Sequence, residues 1–333
     1  MKDISVIIPS NHSHHELLKV VSAICQQTVK PAEIVIVDSS LESGACPVEV
    51  TNSCAFSGIQ IVYVHLAHAL PGRARNIGLE LSTAELIAFI DVQTIPKPNW
   101  LEISSHLLTS NRVLGVWGAT NFNADTTFEK LVRDSFHGVQ TLRTLPGSVF
   151  DRKFFAKVGQ FIDWARAGED TEWMLRVELL KVPVVCPTCV LIDYVGLIGL
   201  DLKTLLRKWH RNYSAARDLP HFYPQRLILW LIFYPLLILI AFNWNYLVAD
   251  WRLESPFYIG HVTKIVAILP ALTYVVIRGM VLPLKRGIAI EQLLPTRFLT
   301  VTFVCFIADA VKVLMFSIPK RSRQRCKAST LKN

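Results

Sequence analysis

Residues 4–10 and 32–38 read Ile-Ser-Val-Ile-Ile-Pro-Ser and Ala-Glu-Ile-Val-Ile-Val-Asp. Each is a short run of β-branched and aliphatic residues, closed by Pro9-Ser10 in the first and by Asp38 in the second. Apolar runs without polar alternation belong to strands covered on both faces, as in parallel sheets. Between them, residues 15–28 (HELLKVVSAICQQT) put Leu17, Leu18, Val21, Ile24 and Cys25 on one helical face. Working outward, a third strand is expected at 59–65 (IQIVYVH), a helix from Gly72 to Ser82, and a fourth strand at 84–91 (AELIAFID) that ends on Asp91. Strands alternating with helices imply βαβ units, hence an α/β, Rossmann-like fold with a mostly parallel sheet. Ligands of such sheets bind at the carboxyl ends of the strands. Pro9, Asp38 and Asp91 are therefore expected along one edge.

The composition excludes a disordered chain: 51% of the 333 residues are hydrophobic, 18% are charged, and the mean hydropathy is +0.36. The apolar excess is concentrated after residue 226. Residues 227–249 carry no charge, long enough at about 1.5 Å per residue to cross a bilayer core. A second span is expected over 257–284, with Lys264 and Arg278 near its ends. A third apolar segment, 298–318, is broken by Asp309 and Lys312, spaced to pair with each other. The expected organisation is an α/β domain over 1–225, a membrane region over 226–318 and a basic tail over 319–333, with the boundary near 222–226.

The chain starts MKDISVIIPS, with no basic and apolar leader visible, so the α/β domain is expected in the cytoplasm. Lys203, Arg207, Lys208, Arg211, Arg217 and Arg226 precede the first span, Lys285 and Arg286 follow the second, and Lys320, Arg321, Arg323, Arg325, Lys327 and Lys332 fill the tail. Cytoplasmic loops carry such charge. Three full crossings would put the tail outside; two spans plus an in-plane or re-entrant third segment reconcile the charges. The expectation is a multi-pass membrane protein with its α/β domain on the cytoplasmic face. The net charge of +9 gathers beside apolar spans, so anionic headgroups are the expected partner and nucleic acid is not. Cys186-Pro187-Thr188-Cys189 has no second cysteine pair to complete a zinc site and reads as strand or turn. His12, His14 and His15 lack a fourth ligand and read as a solvated loop.

Several polar groups fall where chemistry is expected. Carboxylates at strand ends, Asp38 and Asp91, are suited to accept hydrogen bonds from the N–H and hydroxyl groups of a ligand, though aspartate also caps turns. Arg73 and Arg75 open a helix, where a cation is unfavourable unless an anion is near. Gly168-Glu169-Asp170-Thr171-Glu172-Trp173 puts acids in the first turn of another helix.

The ordered set VIIPS, EIVIVDSS, GRARNIGL, AFIDVQT, VGQFID and GEDTEW resembles the family 2 glycosyltransferases of GT-A fold, over about residues 4–215. The C-terminal spans resemble those of membrane-attached members. The resemblance implies an inverting transfer of a sugar from a nucleotide donor, most simply UDP-linked. Asp170 would be the base and Glu169 its support. Pro9, Asp38, Arg73, Arg75, Asn76, Asp91, Gln93, Arg207 and Arg211 would hold the donor, with Asn76 either touching the ribose or fixing its loop. The acceptor would lie at the membrane, such as a polyprenyl-phosphate-linked glycan in cell-surface polysaccharide or glycolipid synthesis. Asp91-Val92-Gln93 stands where the family has its DxD motif, whose carboxylates bind Mn2+ or Mg2+. Gln93 is a poor ligand for a hard cation. That leaves weak metal use through Asp91, metal held elsewhere, neutralisation by Arg73, Arg75, Arg207, Lys208 and Arg211, or an inactive relative serving as a membrane scaffold or nucleotide-sugar-binding protein. A nucleotidyltransferase of similar sheet is disfavoured because no glycine-rich phosphate loop follows the first strand.

Overall fold

The computed structural model describes residues 2–11, 13–41, 44–55, 57–219 and 225–318. In chain order its elements are β1 (Ile4–Ser10), α1 (His14–Cys25), β2 (Glu33–Asp38), α2 (Val48–Ala55), β3 (Gln60–His65), α3 (Pro71–Leu81), β4 (Leu86–Phe89) and β5 (Thr94–Pro96). They continue with α4 (Trp100–Ser110), β6 (Gly115–Phe122), α5 (Thr127–Phe136), β7 (Leu142–Asp151), α6 (Lys153–Val158), α7 (Glu169–Leu179), β8 (Val184–Val185), β9 (Ile192–Tyr194) and α8 (Leu202–Ala216). The apolar region adds α9 (Gln225–Ala249), α10 (Val262–Val276), α11 (Leu282–Lys285), α12 (Ile290–Leu293) and α13 (Arg297–Ser317).

Alternation along β1 builds two cores. Ile4, Val6 and Ile8 face one side, where they meet Leu17, Val20 and Ile24 of α1 and Trp100 and Leu101 of α4. Ile7 faces the other, with Val35, Phe89, Ala74, Phe154, Trp173 and Val177, brought by α3, α6 and α7. Both faces are covered, which is why the strand sequence shows no polar alternation. The sheet order is β3-β2-β1-β4-β7-β6-β9-β5, with β8 on β6. β1 runs parallel to both neighbours, with Ser10 opposite Asp38 and Ile7 opposite Phe89. β7 is inserted antiparallel between β4 and β6. The first four strands and α1 and α3 lie within a few residues of expectation. The fourth strand is shorter: it closes at Phe89, so Asp91 stands on the turn beyond it. Cys186 and Cys189 are exposed free thiols in the turn after β8, as expected.

α9 coincides with the expected first span. The helical segment over the expected second span starts later, at Val262, and runs through α10, a π-helical turn at Ile277–Val281 and α11. Among the described residues, Ile268–Lys285 and Arg297–Ser317 are long and apolar enough to cross a membrane. Asp309 does not pair with Lys312. Its carboxylate lies 2.8 Å from the Arg278 guanidinium and accepts from the Tyr274 hydroxyl at 2.8 Å, because α13 presents this position to α10. The boundary at 222–224, His12 and the basic tail lie outside the described residues.

α13 packs on the α/β domain. Val301 and Cys305 share a buried cluster with Leu131 of α5, together with Ile288 and Leu293. Arg297 pairs at 2.6 Å with Asp134 of α5, which is buried. At the other end, Arg217 donates to the carbonyls of Met315 and Ile318, and the Ser214 hydroxyl donates to the Met315 sulfur at 3.0 Å. Leu299, Phe303, Phe306 and Leu314, on the opposite side, are exposed.

Candidate active site

Gly72 sets the geometry of the site. A Cβ at this position would stand 2.0 Å from the Ile162 carbonyl oxygen and 3.3 Å from Glu169 Cγ. The first turn of α3 thus lies directly on the 160s loop and on the start of α7. Asn76, one turn on, locks that contact: its Nδ2 donates to the Phe161 carbonyl and its Oδ1 accepts from the Phe161 N–H, both at 2.9 Å. Gly168, at φ +84°, makes the left-handed turn into α7. Trp173 and Arg176 fasten the helix: the indole N–H donates to the Gly159 carbonyl at 3.0 Å, and Arg176 binds Glu172 and the carbonyls of Val158 and Gln160.

Arg75 is thereby placed between two carboxylates. Its Nη1 lies 2.7 Å from Glu169 Oε1 and its Nη2 3.0 Å from Asp91 Oδ1, and its side chain is 4% exposed. Burial alone would lower the guanidinium pKa, but Asp91, Glu169 and Asp170 reverse that and raise it. Burial raises the Glu169 pKa; Arg75 opposes this and Asp170 reinforces it. Asp170, next in the chain, accepts from the Thr171 N–H at 2.6 Å through Oδ1.

Two cavities meet here. The first, about 600 Å³, is bounded by Pro9, Ser10, Ser39, Arg75, Asp91, Gln93, Arg166, Glu169, Asp170 and Arg211. The second, about 660 Å³, has apolar walls from Phe122, Phe136, Met174, Leu197, Leu205 and Trp209, with Arg143 and Lys208. Asp91, Asp170, Thr171 and Asn212 line both. The floor of the first cavity is the carboxyl end of β1 and β2, the edge expected from the strand pattern. A larger hollow of about 810 Å³ lies beside α4, among Leu86, Ile103 and Val113, and takes in none of the strand-end residues.

Asp38, Arg73 and Arg207 lie away from the first cavity, whereas Arg75 lines it and Asn76 takes the loop-fixing one of its two expected roles. Asp38 is buried and its carboxylate is held by the Tyr63 hydroxyl at 3.0 Å and by Ser40, so Ser39 rather than Asp38 lines the cavity. Arg73, two residues before Arg75 on α3, turns to the other side, 3.8 Å from Asp163. Arg75 finds its anions within the protein. Asn76 fixes the loop. Arg207 lines neither cavity, because α8 presents Leu205, Lys208, Trp209 and Asn212 inward and leaves Arg207 exposed. Pro9, Arg75, Asp91, Gln93, Glu169, Asp170 and Arg211 line the first cavity together. Arg166, Thr171, Asn212 and Tyr194 were not anticipated. Arg166 and Thr171 flank GED in sequence, and Asn212 follows Arg211; adjacency to the acidic and basic motifs was the available signal.

The donor set at Asp91 does not suit a divalent cation. Asp91 is the one carboxylate of the DxD position and is already compensated by Arg75. The amide oxygen of Gln93 accepts from the Tyr194 hydroxyl at 3.1 Å. Among the described residues, no three His, Cys, Asp or Glu side chains are grouped to hold a metal.

The sequence profile described as glycosyl transferase family 2 matches residues 5–181. The chain is 26% identical over 186 residues to glycosyltransferase AglE of Haloferax volcanii, covering 52% of this chain and 60% of that protein. It is 24% identical over 226 residues to the pre-mycofactocin glycosyltransferase of Mycobacterium tuberculosis, covering 62% and 44%. It thus spans between about two fifths and three fifths of those relatives. Among solved structures it is similar in fold to the mannosyltransferase PcManGT of Pyrobaculum calidifontis, solved with GDP-Man and Mn2+, at a TM-score of 0.56 and 15% identity over 95% of this chain and 87% of that one. With its strand-end cavity, its GED helix and a profile match over more than half its length, the chain belongs to glycosyl transferase family 2.

Proposed function

We propose that this protein is an inverting glycosyltransferase whose donor, a nucleotide sugar of the UDP type, occupies the first cavity and whose acceptor occupies the second. The observation that carries this reading is the junction: Asp170 lines both cavities, so one carboxylate faces the anomeric carbon's surroundings and the incoming hydroxyl. As the acceptor oxygen attacks, the C1–O bond to the diphosphate breaks and its electron pair leaves with the diphosphate. The hydroxyl proton passes to Asp170. Attack opposite the leaving group inverts the anomeric carbon. Glu169 acts as a positioning residue through Arg75, which ties the base-bearing helix to Asp91.

The acceptor in this reading is membrane-proximal, such as a polyprenyl-phosphate-linked glycan, used in cell-surface polysaccharide or glycolipid synthesis. Supporting it, α5 and α8, which wall the second cavity, carry the apolar α13 on their other sides. Exposed Leu299, Phe303, Phe306 and Leu314 on α13, with Leu239, Phe242 and Leu247 on α9, give a bilayer an apolar surface to cover. Membrane-embedded helices after residue 225, with the catalytic domain on the cytoplasmic face, complete the proposal.

Asp170→Asn tests it. General-base loss is expected to reduce transfer by about 10²- to 10⁴-fold while nucleotide-sugar binding, read by thermal stabilisation, persists. Near-normal turnover in Asp170→Asn would remove Asp170 as the base. Failure of the wild-type protein to turn over any nucleotide sugar it binds would favour the scaffold role that Gln93 brings to mind.

A further inference from the structure

We infer that the charge of the donor's diphosphate is met by Arg166 and Arg211 rather than by a divalent cation at Asp91 and Gln93; the inference rests on the glycosyltransferase reading above. Asp91 and Gln93 each already have a protein partner: Asp91 Oδ1 has the Arg75 Nη2, and Gln93 Oε1 has the Tyr194 hydroxyl. Beside a diphosphate a hard cation draws on one or two protein carboxylates, together with phosphate oxygens and waters. Here the one carboxylate is already neutralised by a buried guanidinium and its neighbour is a neutral amide, which leaves little protein charge to hold a cation.

The cavity supplies positive charge by another route. Three arginines line it. Arg75 is committed to Asp91 and Glu169. Among the described residues, no carboxylate pairs with Arg166 or Arg211, in contrast to Arg73, which has Asp163. They enter from different elements, Arg166 from the loop before α7 and Arg211 from α8, so the diphosphate would lie between two walls of the cavity. Each guanidinium presents a planar fork of donors that matches phosphate oxygens two at a time. When the C1–O bond breaks, the diphosphate keeps both electrons and gains one negative charge. Two guanidinium groups positioned on it stabilise that charge as it develops. Arg166 also stands two residues before Gly168, so its contact with the leaving group fastens the same turn that carries Asp170.

The test is isothermal titration of the full chain in detergent with UDP and with GDP, each in EDTA and in excess Mn2+. The nucleotide that binds is expected to do so with affinities within about 2-fold in the two media. Arg166→Gln and Arg211→Gln should each weaken binding by about 10-fold or more, the scale of lost charged hydrogen bonds. Lysine at either position should restore part of it, and Arg207→Gln, on the outer side of α8, should bind as the wild type. Melting temperatures check that the variants fold. Binding that collapses in EDTA, or unchanged affinity in both glutamine variants, overturns the arginine assignment and leaves the glycosyltransferase reading standing. Failure of the wild type to bind either nucleotide in either medium overturns the UDP-type donor and the assignment together.

Discussion

Replacing Arg75 with glutamine isolates the one ionic contact on which the site is built. The side chain is 4% exposed and makes charged contacts of 2.7 Å to Glu169 and 3.0 Å to Asp91. Glu169 is 5% exposed, so without Arg75 its charge would remain in a dry environment beside Asp170. Asp91 is 33% exposed and loses less, because water replaces part of the contact. Breaking a buried pair costs about 3–5 kcal/mol; with Asp91 partly exposed, the lower end, about 3 kcal/mol, is the expected loss. In a chain of 333 residues that lowers the melting temperature by roughly 4 °C. The pH dependence is the sharper readout. Glu169 already has a raised pKa, from burial and from Asp170, and loss of Arg75 raises it further. An acid whose folded pKa lies above its unfolded value binds more protons when folded, so the penalty is full above the folded pKa and shrinks as pH falls toward the unfolded value. Melts of wild type and Arg75→Gln between pH 4.5 and pH 8, chosen to straddle the carboxylate range, should therefore converge at the acid end. Equal melting temperatures at pH 8, or a gap that widens in acid, would refute the placement of Arg75.

Other outcomes follow from the same geometry. Gly72→Ala puts a methyl group on the Ile162 carbonyl; it should cost about 1–3 kcal/mol and reduce turnover more than donor binding, by displacing the Asp170 turn, and an unchanged kcat would contradict this. Gln93→Asp adds a second carboxylate at the DxD position. Mn2+ should then raise the melting temperature of the variant in the presence of UDP and leave the wild type unmoved; no difference would take position 93 away from the diphosphate. His137 stacks on Phe122, with ring centroids 3.9 Å apart. Burial first, then Arg286 and Lys208, push its pKa down to about 4. A base with a lowered folded pKa gives stability that is present above the ordinary value near 6.5 and lost as pH falls toward 4. Wild type should lose about 1.4 kcal/mol per pH unit in that window, and His137→Asn should show a flatter urea-denaturation profile there.

The parallel half of the sheet was legible because its strands are buried on both faces. Ile4–Ile8 and Ile34–Val37 have no solvent side, so apolar runs marked them without ambiguity. β6 and β7 were not read. Their sequences, GVWGATNF and LRTLPGSVFD, mix glycine, proline and polar residues because the two strands meet with a bulge between Val116 and Gly118, and Gly118 lies against the Pro146 carbonyl. That pairing is decided by long-range contact, which local pattern does not record. At the site, the acidic residues were visible as a motif, but their partners were not. Two arginines at a helix start imply an anion without naming it; the anions are Asp91 and Glu169 for Arg75 and Asp163 for Arg73. Asp38 looked available for the same reason Asp91 did, and the Tyr63 hydroxyl, from the neighbouring strand, together with Ser40 takes it out of reach.

The two-sided use of α8 bears on how such an enzyme can be rebuilt. Asn212 and Ala216 look into the first cavity while Ser214 and Arg217 hold the end of α13. A tether joined by a linker can be exchanged like a handle. Here the apolar segment is a buttress behind α8, which itself lines both cavities, so a chimera that keeps the α/β domain and borrows another protein's apolar helices would have to recreate the seat for Met315 and Ile318 before α8 regained its position.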